Sequence, residues 1–306
     1  MSATAAFGGD RRPRPAAAGP AAAVPGAVPD AGVVLAGIAA GLPPVGLEDA
    51  AELLSRVDRK YLVPAPVMAH LAARLGERFS VLRIGTRRQF RYSSTYFDTP
   101  DLLTFRQHRQ GRRRRFKIRV RTYLDGGGRW LEVKLNGARG GTDKHRIPYD
   151  AGPAGALNAE ALDFVSDTLL GKLCVRPPET LRAVLSTDYR RVTLIDGPGE
   201  ARLTCDTGLV CRDGRRIAAA RPDHVLVESK SRNGAALADT ILRDLGVRPI
   251  SVSKYCLGVA MLRRAGANPW HQVLHRYFAA GVQQSPATIV TQWSVANAKS
   301  EHHDGS

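Results

Sequence analysis

Polar and apolar side chains alternate along many short segments between residues 47 and 266, and this two-residue period predicts β-strands. In the segment "GRRRRFKIRVRTYL" (111–124), four cations on one parity alternate with three apolar side chains on the other: Arg115, Lys117, Arg119 and Arg121 against Phe116, Ile118 and Val120. The same reasoning predicts eight strands: Ser55–Val63, Arg88–Phe97, Arg113–Leu124, Arg129–Asn136, Lys144–Asp150, Tyr189–Asp196, Ala201–Val210 and His224–Lys230.

A few segments instead favour helices, and two of them, Ala235–Leu245 and Lys254–Arg264, are amphipathic at the 3.6-residue period. Ala65–Glu77 and Asn158–Lys172 complete the predicted helices. The "DGGG" segment at 125–128 lies between two alternating runs and predicts a hairpin turn. The chain is therefore strand-dominated, with helices covering the sheet.

Composition divides the 306 residues into three parts. Residues 1–45 are rich in Ala, Pro and Gly and have few large side chains to bury, which predicts a disordered leader. Apolar periodicity continues over residues 46–266 and predicts one domain. Residues 267–306 are expected to form a partly disordered tail.

The formal charge of +17 predicts an anionic partner, such as nucleic acid, a phosphate chain or an acidic lipid. The four cysteines show no CxxC pairing, which argues against a zinc ribbon or a disulfide framework: Cys174, Cys205, Cys211 and Cys256. No apolar run reaches the about 20 residues of a membrane span, and the first residues show no convincing signal sequence. We expect a cytoplasmic protein without a membrane span.

Six of the predicted strands share one design, with a charged or polar parity opposite an aliphatic one. For any single strand, a solvated outer face explains this pattern. Together, the strands favour an α+β fold: a closed antiparallel β-barrel of about eight strands, with helices packed outside and a charged lumen. Such a lumen requires a polyanion.

Arginine and lysine suit phosphate in particular, because the guanidinium fork grips phosphate oxygens in pairs and the ammonium adds compact charge. Carboxylates among these cations would repel phosphate unless a divalent metal bridged them. Four are therefore candidate metal ligands, with a salt bridge to a neighbouring cation as the alternative for each: Asp58, Glu132, Asp206 and Glu228.

The ordered motifs "RVDRKYLV", "TYFDTPDL", "KIRVRTY", "LEVKLN", "DYRR", "ARLTCDT", "VLVESK" and "SKY" resemble the vacuolar transporter chaperone (VTC) domain of the triphosphate tunnel metalloenzyme superfamily. The resemblance spans residues 50–262. It implies an antiparallel tunnel that binds ATP, triphosphate or polyphosphate with Mn²⁺ or Mg²⁺. It also implies a polyphosphate polymerase, which moves the terminal phosphoryl group of ATP onto a phosphate chain.

Carried over by position, the resemblance implies seven catalytic cations: Lys60, Arg119, Arg121, Lys134, Arg191, Arg202 and Lys254. Four more would bind the phosphates: Lys117, Lys144, Arg146 and Lys230. Glu228 matches the metal-binding glutamate, with Asp58 and Glu132 as further ligands. Asp58 stands where a glutamate is common, and Ser229 replaces an apolar residue in "VESK".

Two alternatives stay open. The same cations and metal would serve a triphosphatase, in which water accepts the phosphoryl group. A non-catalytic module that binds polyphosphate or RNA is the other possibility, although the aromatic content of 6% is low for base stacking.

Overall fold

The structure, a computed structural model, describes residues 28–48, 57–136, 142–150, 156–197, 201–214, 216–232, 234–266, 268–278 and 282–284. The strands of this described part are β1 Pro44–Val45, β2 Val57–Pro64, β3 Phe79–Leu82, β4 Phe90–Asp98, β5 Arg115–Tyr123, β6 Gly128–Asn136, β7 Thr142–Pro148, β8 Arg182–Asp196, β9 Ala201–Asp213, β10 Arg216–Ala219, β11 His224–Ser231 and β12 Gln283–Gln284. The α-helices are α1 Ala31–Gly41, α2 Ala65–Leu75, α3 Leu103–Arg109, α4 Ala159–Thr168, α5 Leu237–Asp244, α6 Lys254–Arg263 and α7 His271–Tyr277.

Each predicted strand and helix has a counterpart in this list, with ends shifted by a few residues. The largest shift is in β8, which begins at Arg182 rather than Tyr189. The first two residues of the predicted Ser55–Val63 strand lie outside the described residues. The sequence did not predict the short helices α1, α3 and α7 or the short strands β1, β3, β10 and β12.

Eight of the strands form one antiparallel sheet in the order β7-β6-β5-β4-β8-β9-β11-β2. The predicted mixed α+β class with a large antiparallel sheet is thus confirmed. Register places the charged parities of neighbouring strands side by side, as in the pairs Arg119–Glu132 and Arg191–Asp206. The sheet therefore has one continuous polar face and one apolar face.

The sheet curls strongly around the polar face. Lys134 on β6 and Glu228 on β11 are five strand steps apart, which would be about 24 Å in a flat sheet. Nevertheless, the Lys134 charge helps to lower the pKa of Glu228, so the two groups lie close in space. The polar face is consequently concave, and we call this charged concavity the trough.

The predicted closure into a barrel is not found in the described residues, because β2 and β7 are not paired with each other. The outer edge of β2 is occupied instead by the segment before α6. Ile250 forms an isolated bridge with Lys60 and donates its backbone N–H to the Lys60 carbonyl at 2.8 Å. This contact satisfies the edge that a closing strand would otherwise cover.

Four helices cover the apolar face, as predicted. α1, α2 and α5 pack over β2, β8, β9 and β11, and α4 packs over β5 and β6. α6 does not follow the prediction, because it packs on the same face as the trough. Its Tyr255 stacks on Tyr96 with ring centroids 5.2 Å apart, and a Cβ at Gly258 would lie 2.7 Å from Leu185 Cδ2. Glycine permits this close approach of helix to sheet.

The prediction of disorder is wrong for Ala31–Gly41, which forms α1. Asp30 caps the helix by accepting hydrogen bonds from the N–H groups of Gly32 at 2.7 Å and Val33 at 3.1 Å. Ala31, Leu35 and Ala39 are buried in the core, and their small volumes allow close packing. Residues 1–27 lie outside the described part of the chain.

The folded region extends beyond residue 266. α7 packs into the core around α6, where Tyr277 and the neighbouring Trp270 are buried. Most of the remaining predicted tail lies outside the described residues. No helix in the described ranges has the length and apolar character needed to cross a membrane.

Candidate functional site

The structure gathers the predicted cations in the trough. Each lies on the polar parity of its strand, and Lys254 stands at the first residue of α6: Lys60 on β2, Lys117, Arg119 and Arg121 on β5, Lys134 on β6, Lys144 and Arg146 on β7, Arg191 on β8, Arg202 on β9 and Lys230 on β11. The Asp58, Glu132, Asp206 and Glu228 carboxylates share this face. Cations therefore outnumber carboxylates in the trough.

Asp206 orients two of the cations. Its carboxylate accepts two hydrogen bonds from Arg191, with Nε 2.6 Å from Oδ1 and Nη2 2.8 Å from Oδ2, and it also contacts the Lys254 ammonium. Burial alone would raise the pKa of Asp206, but the charges of Arg191 and Lys254 outweigh burial and lower it to about 2. Asp206 therefore takes the salt-bridge alternative rather than a free metal-ligand role.

Glu132 holds Arg119 in a similar way. Arg119 Nε donates to Glu132 Oε2 at 2.7 Å, and Lys144 Nζ lies 4.0 Å from Oε1. The carboxylate is fully buried, yet its pKa falls to about 2 because Arg119 and its cationic neighbours overcome desolvation. Oε1 accepts no hydrogen bond from any described residue. One oxygen of Glu132 is thus available to a bound group.

Arg121 combines a hydrogen bond with stacking. Its Nη2 donates to the Tyr189 hydroxyl at 3.0 Å, and its guanidinium lies 5.5 Å from the centroid of the Tyr92 ring. Arg121 Nε is buried and finds no acceptor among the described residues. A buried donor of this kind requires a partner, so Arg121 is open to an anionic ligand.

Glu228 lies between two lysines, with Lys60 Nζ at 3.5 Å and Lys230 Nζ at 3.4 Å. Burial opposes its ionisation, but Lys230, Lys60 and the more distant cations hold its pKa well below the usual range. Asp58 lies opposite Lys230 in the register of β2 and β11. Across the described residues, no group of three or more carboxylate, imidazole or thiol side chains could hold a metal ion by itself.

His108 on α3 is a trough residue that the sequence did not indicate, because the short α3 itself was not predicted. Its Nε2 lies 2.9 Å from Lys117 Nζ, and its Nδ1 lies 2.8 Å from the Thr104 carbonyl oxygen. The carbonyl can only accept, so Nδ1 carries the proton and Nε2 accepts from Lys117. Burial and the Lys117 charge lower the pKa of His108 to about 3, which keeps the ring neutral.

Two lysines of the trough are strongly desolvated. Burial lowers the pKa of Lys117 to about 8 and holds the pKa of Lys134 well below its usual range. Among the described residues, Lys134 has no ion-pair partner within 4.0 Å, unlike Lys60 and Lys144. An anion beside Lys134 would relieve this cost.

Asp98, at the end of β4, joins two helices to the trough. It accepts hydrogen bonds from Thr104 N at 2.9 Å, Thr104 Oγ1 at 2.8 Å and Phe105 N at 3.0 Å, all on α3. It also accepts from the hydroxyl of Tyr255 on α6. This shared acceptor positions His108 on α3 and Lys254 on α6 relative to the sheet.

A family model described as the VTC domain matches residues 55–263. The fold is also similar to that of a putative adenylyl cyclase from Hippeastrum with a described dominant triphosphatase activity, at 12% identity and a TM-score of 0.41, over 67% of this chain and 95% of that one. Two proteins from Pyrococcus horikoshii OT3 are similar at 15% identity, with a TM-score of 0.38 over 68% and 97% of the two chains, and at 14% identity, with a TM-score of 0.32 over 63% and 91%. No curated protein sequence matches this chain significantly.

Proposed function

This chain belongs to the VTC domain family, and on that premise we propose that it is a metal-dependent polyphosphate polymerase. It transfers the terminal phosphoryl group of ATP onto a polyphosphate chain within the trough. The observation that supports this proposal most is the surplus of desolvated cations on the concave face. Lys134 and Arg121 supply its clearest members, since one has no ion-pair partner and the other has a buried donor without an acceptor in the described structure.

A surplus of buried positive charge costs folding free energy unless an anion compensates for it. Protein carboxylates offset only part of the charge, because Glu132, Asp206 and Glu228 each already face two cations. A linear polyanion would meet the cations that successive strands place along the trough. Phosphate chains have this form and match the donor geometry of arginine.

Arg119 and Arg191 are oriented in advance of substrate binding. Glu132 fixes the first through Nε, and Asp206 fixes the second through Nε and Nη2. Donors held in this way stabilise charge on a transferring phosphoryl group without reorganising during the reaction. In this proposal Arg119, Arg121, Arg191 and Arg202 contact the donor and acceptor phosphates, together with Lys60, Lys134 and Lys254.

The trough residues fit a divalent metal that phosphate helps to hold. Mg²⁺ usually binds one or two carboxylates together with substrate phosphate oxygens, so a three-ligand protein cluster is not required. Glu228 lies among lysines at the trough surface, and Glu132 has a buried oxygen without a hydrogen bond in the described structure. Glu228 would hold the metal with assistance from Glu132 or Asp58. The bound metal supplies charge neutralisation on the phosphates.

The remaining chemistry is positioning. The trough aligns the donor phosphates with the terminal oxygen of the acceptor chain, and the cations hold both in line. The acceptor phosphate is already ionised, so no general base is needed. Lys117 and Lys144, with Arg146 and Lys230, hold the flanking phosphates of the chain.

Incubation of the protein with ATP and Mn²⁺, followed by gel separation of long-chain polyphosphate and measurement of free phosphate, tests the proposal. Long-chain polyphosphate is the expected product. Release of free phosphate alone would replace the polymerase with a triphosphatase, in which water is the acceptor. Metal-independent binding of polyphosphate or RNA without turnover would make the trough a binding module, with an affinity that falls steeply as salt rises.

A further inference from the structure

Three aromatic side chains line the trough at the end away from α6. Tyr92 on β4, Tyr123 on β5 and Trp130 on β6 share the concave face, and all three are partly exposed. Tyr92 and Tyr123 are direct neighbours in register, with ring centroids 5.1 Å apart. We call these three residues the aromatic rim. Phosphate has no apolar surface, so binding of a phosphate chain alone does not account for the rim.

Tyr123 and Trp130 have the spacing of a base-stacking pair. Trp130 is opposite Arg121 in register, so Tyr123 is its diagonal neighbour on the same face. Diagonal neighbours lie about 7–8 Å apart. This separation leaves room for one planar ring in van der Waals contact with both, since each contact needs about 3.5 Å.

Local contacts hold the two rings in place. Trp130 Nε1 donates to the Gly127 carbonyl at 3.2 Å, and Arg146 covers the indole at 4.7 Å from the ring centroid. The turn that joins β5 to β6 approaches Tyr123 so closely that a Cβ at Gly127 would lie 2.6 Å from Tyr123 Cβ. The rim is therefore built on strands and a constrained turn, rather than on a loop.

We propose that the aromatic rim binds the nucleobase of a nucleoside triphosphate donor by stacking between Tyr123 and Trp130. This inference rests on the proposed function and identifies its phosphate donor as a nucleotide rather than an inorganic phosphate chain. From Tyr123, the cations Arg121 and Arg119 follow along β5 on the same face. Four strand residues span about 13 Å, a length that ribose and a triphosphate can bridge. The base stacks at the rim while the phosphates reach the centre of the trough.

Stacking also predicts the selectivity of this site. Every base has a π-face, so stacking tolerates different bases, and it strengthens with ring area. ATP and GTP should therefore bind more tightly than CTP and UTP. Inorganic triphosphate should depend on the cations and not on the rim.

Calorimetric titration with ATP and with inorganic triphosphate tests the proposal on the full-length protein. Tyr123→Ala and Trp130→Ala should each weaken ATP binding by about 5- to 100-fold and leave triphosphate binding within about twofold of wild type. Tyr123→Phe and Trp130→Phe, which keep an aromatic ring, should retain most of the ATP affinity. Leu124→Ala, at an adjacent side chain that is 43% exposed, serves as the matched control and should change neither affinity. Circular dichroism verifies that each variant is folded.

Equal weakening of ATP and triphosphate binding, or no weakening of either, would overturn the rim as a nucleobase site. Loss of ATP affinity in the Phe variants to the same extent as in the Ala variants would overturn it too. Binding is measured without turnover, so the outcome is separate from the polymerase proposal. A wild-type protein that binds ATP through the rim but forms no polyphosphate would refute the polymerase and leave the nucleobase site intact.

Discussion

The hydroxyl of Tyr255 on α6 donates a hydrogen bond to the carboxylate of Asp98 at the end of β4, and both residues are almost completely buried. The bond joins segments 157 positions apart in the chain. Burial and the Asp98 charge together raise the pKa of the Tyr255 hydroxyl, so it stays protonated as a donor. Through this contact, the helix that begins with Lys254 is fixed against the trough.

Removal of this contact should destabilise the protein. Tyr255→Phe is expected to lower the free energy of unfolding by about 1–3 kcal/mol, because a buried carboxylate loses a donor. Tyr277→Phe is the matched control, since the buried Tyr277 hydroxyl has no hydrogen-bond partner in the described structure and its removal should not destabilise. Urea denaturation measures both. An equal effect of the two substitutions would contradict the role of Asp98 as an anchor for α6.

Lys134→Met should stabilise the free protein and weaken phosphate binding. The substitution removes a desolvated ammonium that lacks an ion pair in the described structure and keeps a flexible side chain of similar length. We expect a rise in Tm of a few degrees and a loss of triphosphate affinity of at least tenfold, measured by calorimetry. Lys172→Met, at an exposed position, should change neither. A lower Tm for Lys134→Met would show that Lys134 stabilises the fold instead.

Anion binding in the trough should take up protons near pH 8. The pKa of Lys117 is lowered to about 8 by burial, so this group is partly neutral there, and a bound phosphate raises the pKa again. Calorimetry of triphosphate binding in buffers of different ionisation enthalpy gives the number of protons, which should fall below pH 7 and in Lys117→Met. An unchanged proton number in that variant would contradict the assignment. The groups that influence Lys117 are His108, Lys60, Arg115, Arg119 and Cys256.

The same shift has a consequence for stability. An unfolded lysine binds its proton more tightly than buried Lys117 does, so the unfolded state holds more protons between pH 8 and its ordinary pKa of 10.5. The contribution of Lys117 to stability therefore increases as pH rises through this window. Urea denaturation of wild type and Lys117→Met between pH 7 and 10 should show a difference in stability that narrows toward high pH.

Glu228→Gln should reduce metal-dependent turnover by about 10²–10³-fold and leave the fold intact. The amide cannot supply the negative charge that Mn²⁺ or Mg²⁺ requires, although it keeps the size of the side chain. Glu179→Gln on the surface is the matched control and should retain full activity. Turnover of ATP at saturating metal measures the effect. Near-wild-type activity of Glu228→Gln would exclude Glu228 as the metal ligand.

Much of the trough could be predicted from sequence, because alternation on a strand fixes which side chains share a face. The cations of β5 and their partners Glu132 and Lys134 on β6 follow from parity alone. Closure did not follow, because the contact of Ile250 with the edge of β2 depends on a loop far along the chain. The position of α6 inside the curl was equally hidden, since an apolar helix face does not indicate which side of a sheet it covers.

Missed residues have similar physical causes. His108 lies on a seven-residue helix with no apolar repeat to reveal it, and its role arises only from contact with Lys117. Tyr123 and Trp130 occupy the charged parity of their strands, but their diagonal pairing depends on the hairpin register. α1 was hidden by its composition, since an Ala-rich run predicts little burial until a core surrounds it.

The central claim is that the trough joins phosphates, and ³¹P NMR of the protein with ATP and Mg²⁺ tests it most directly. The account predicts a growing signal from internal phosphoanhydride groups with ADP formed in parallel, and loss of both with Glu228→Gln. Orthophosphate and ADP without any internal phosphoanhydride signal would contradict it.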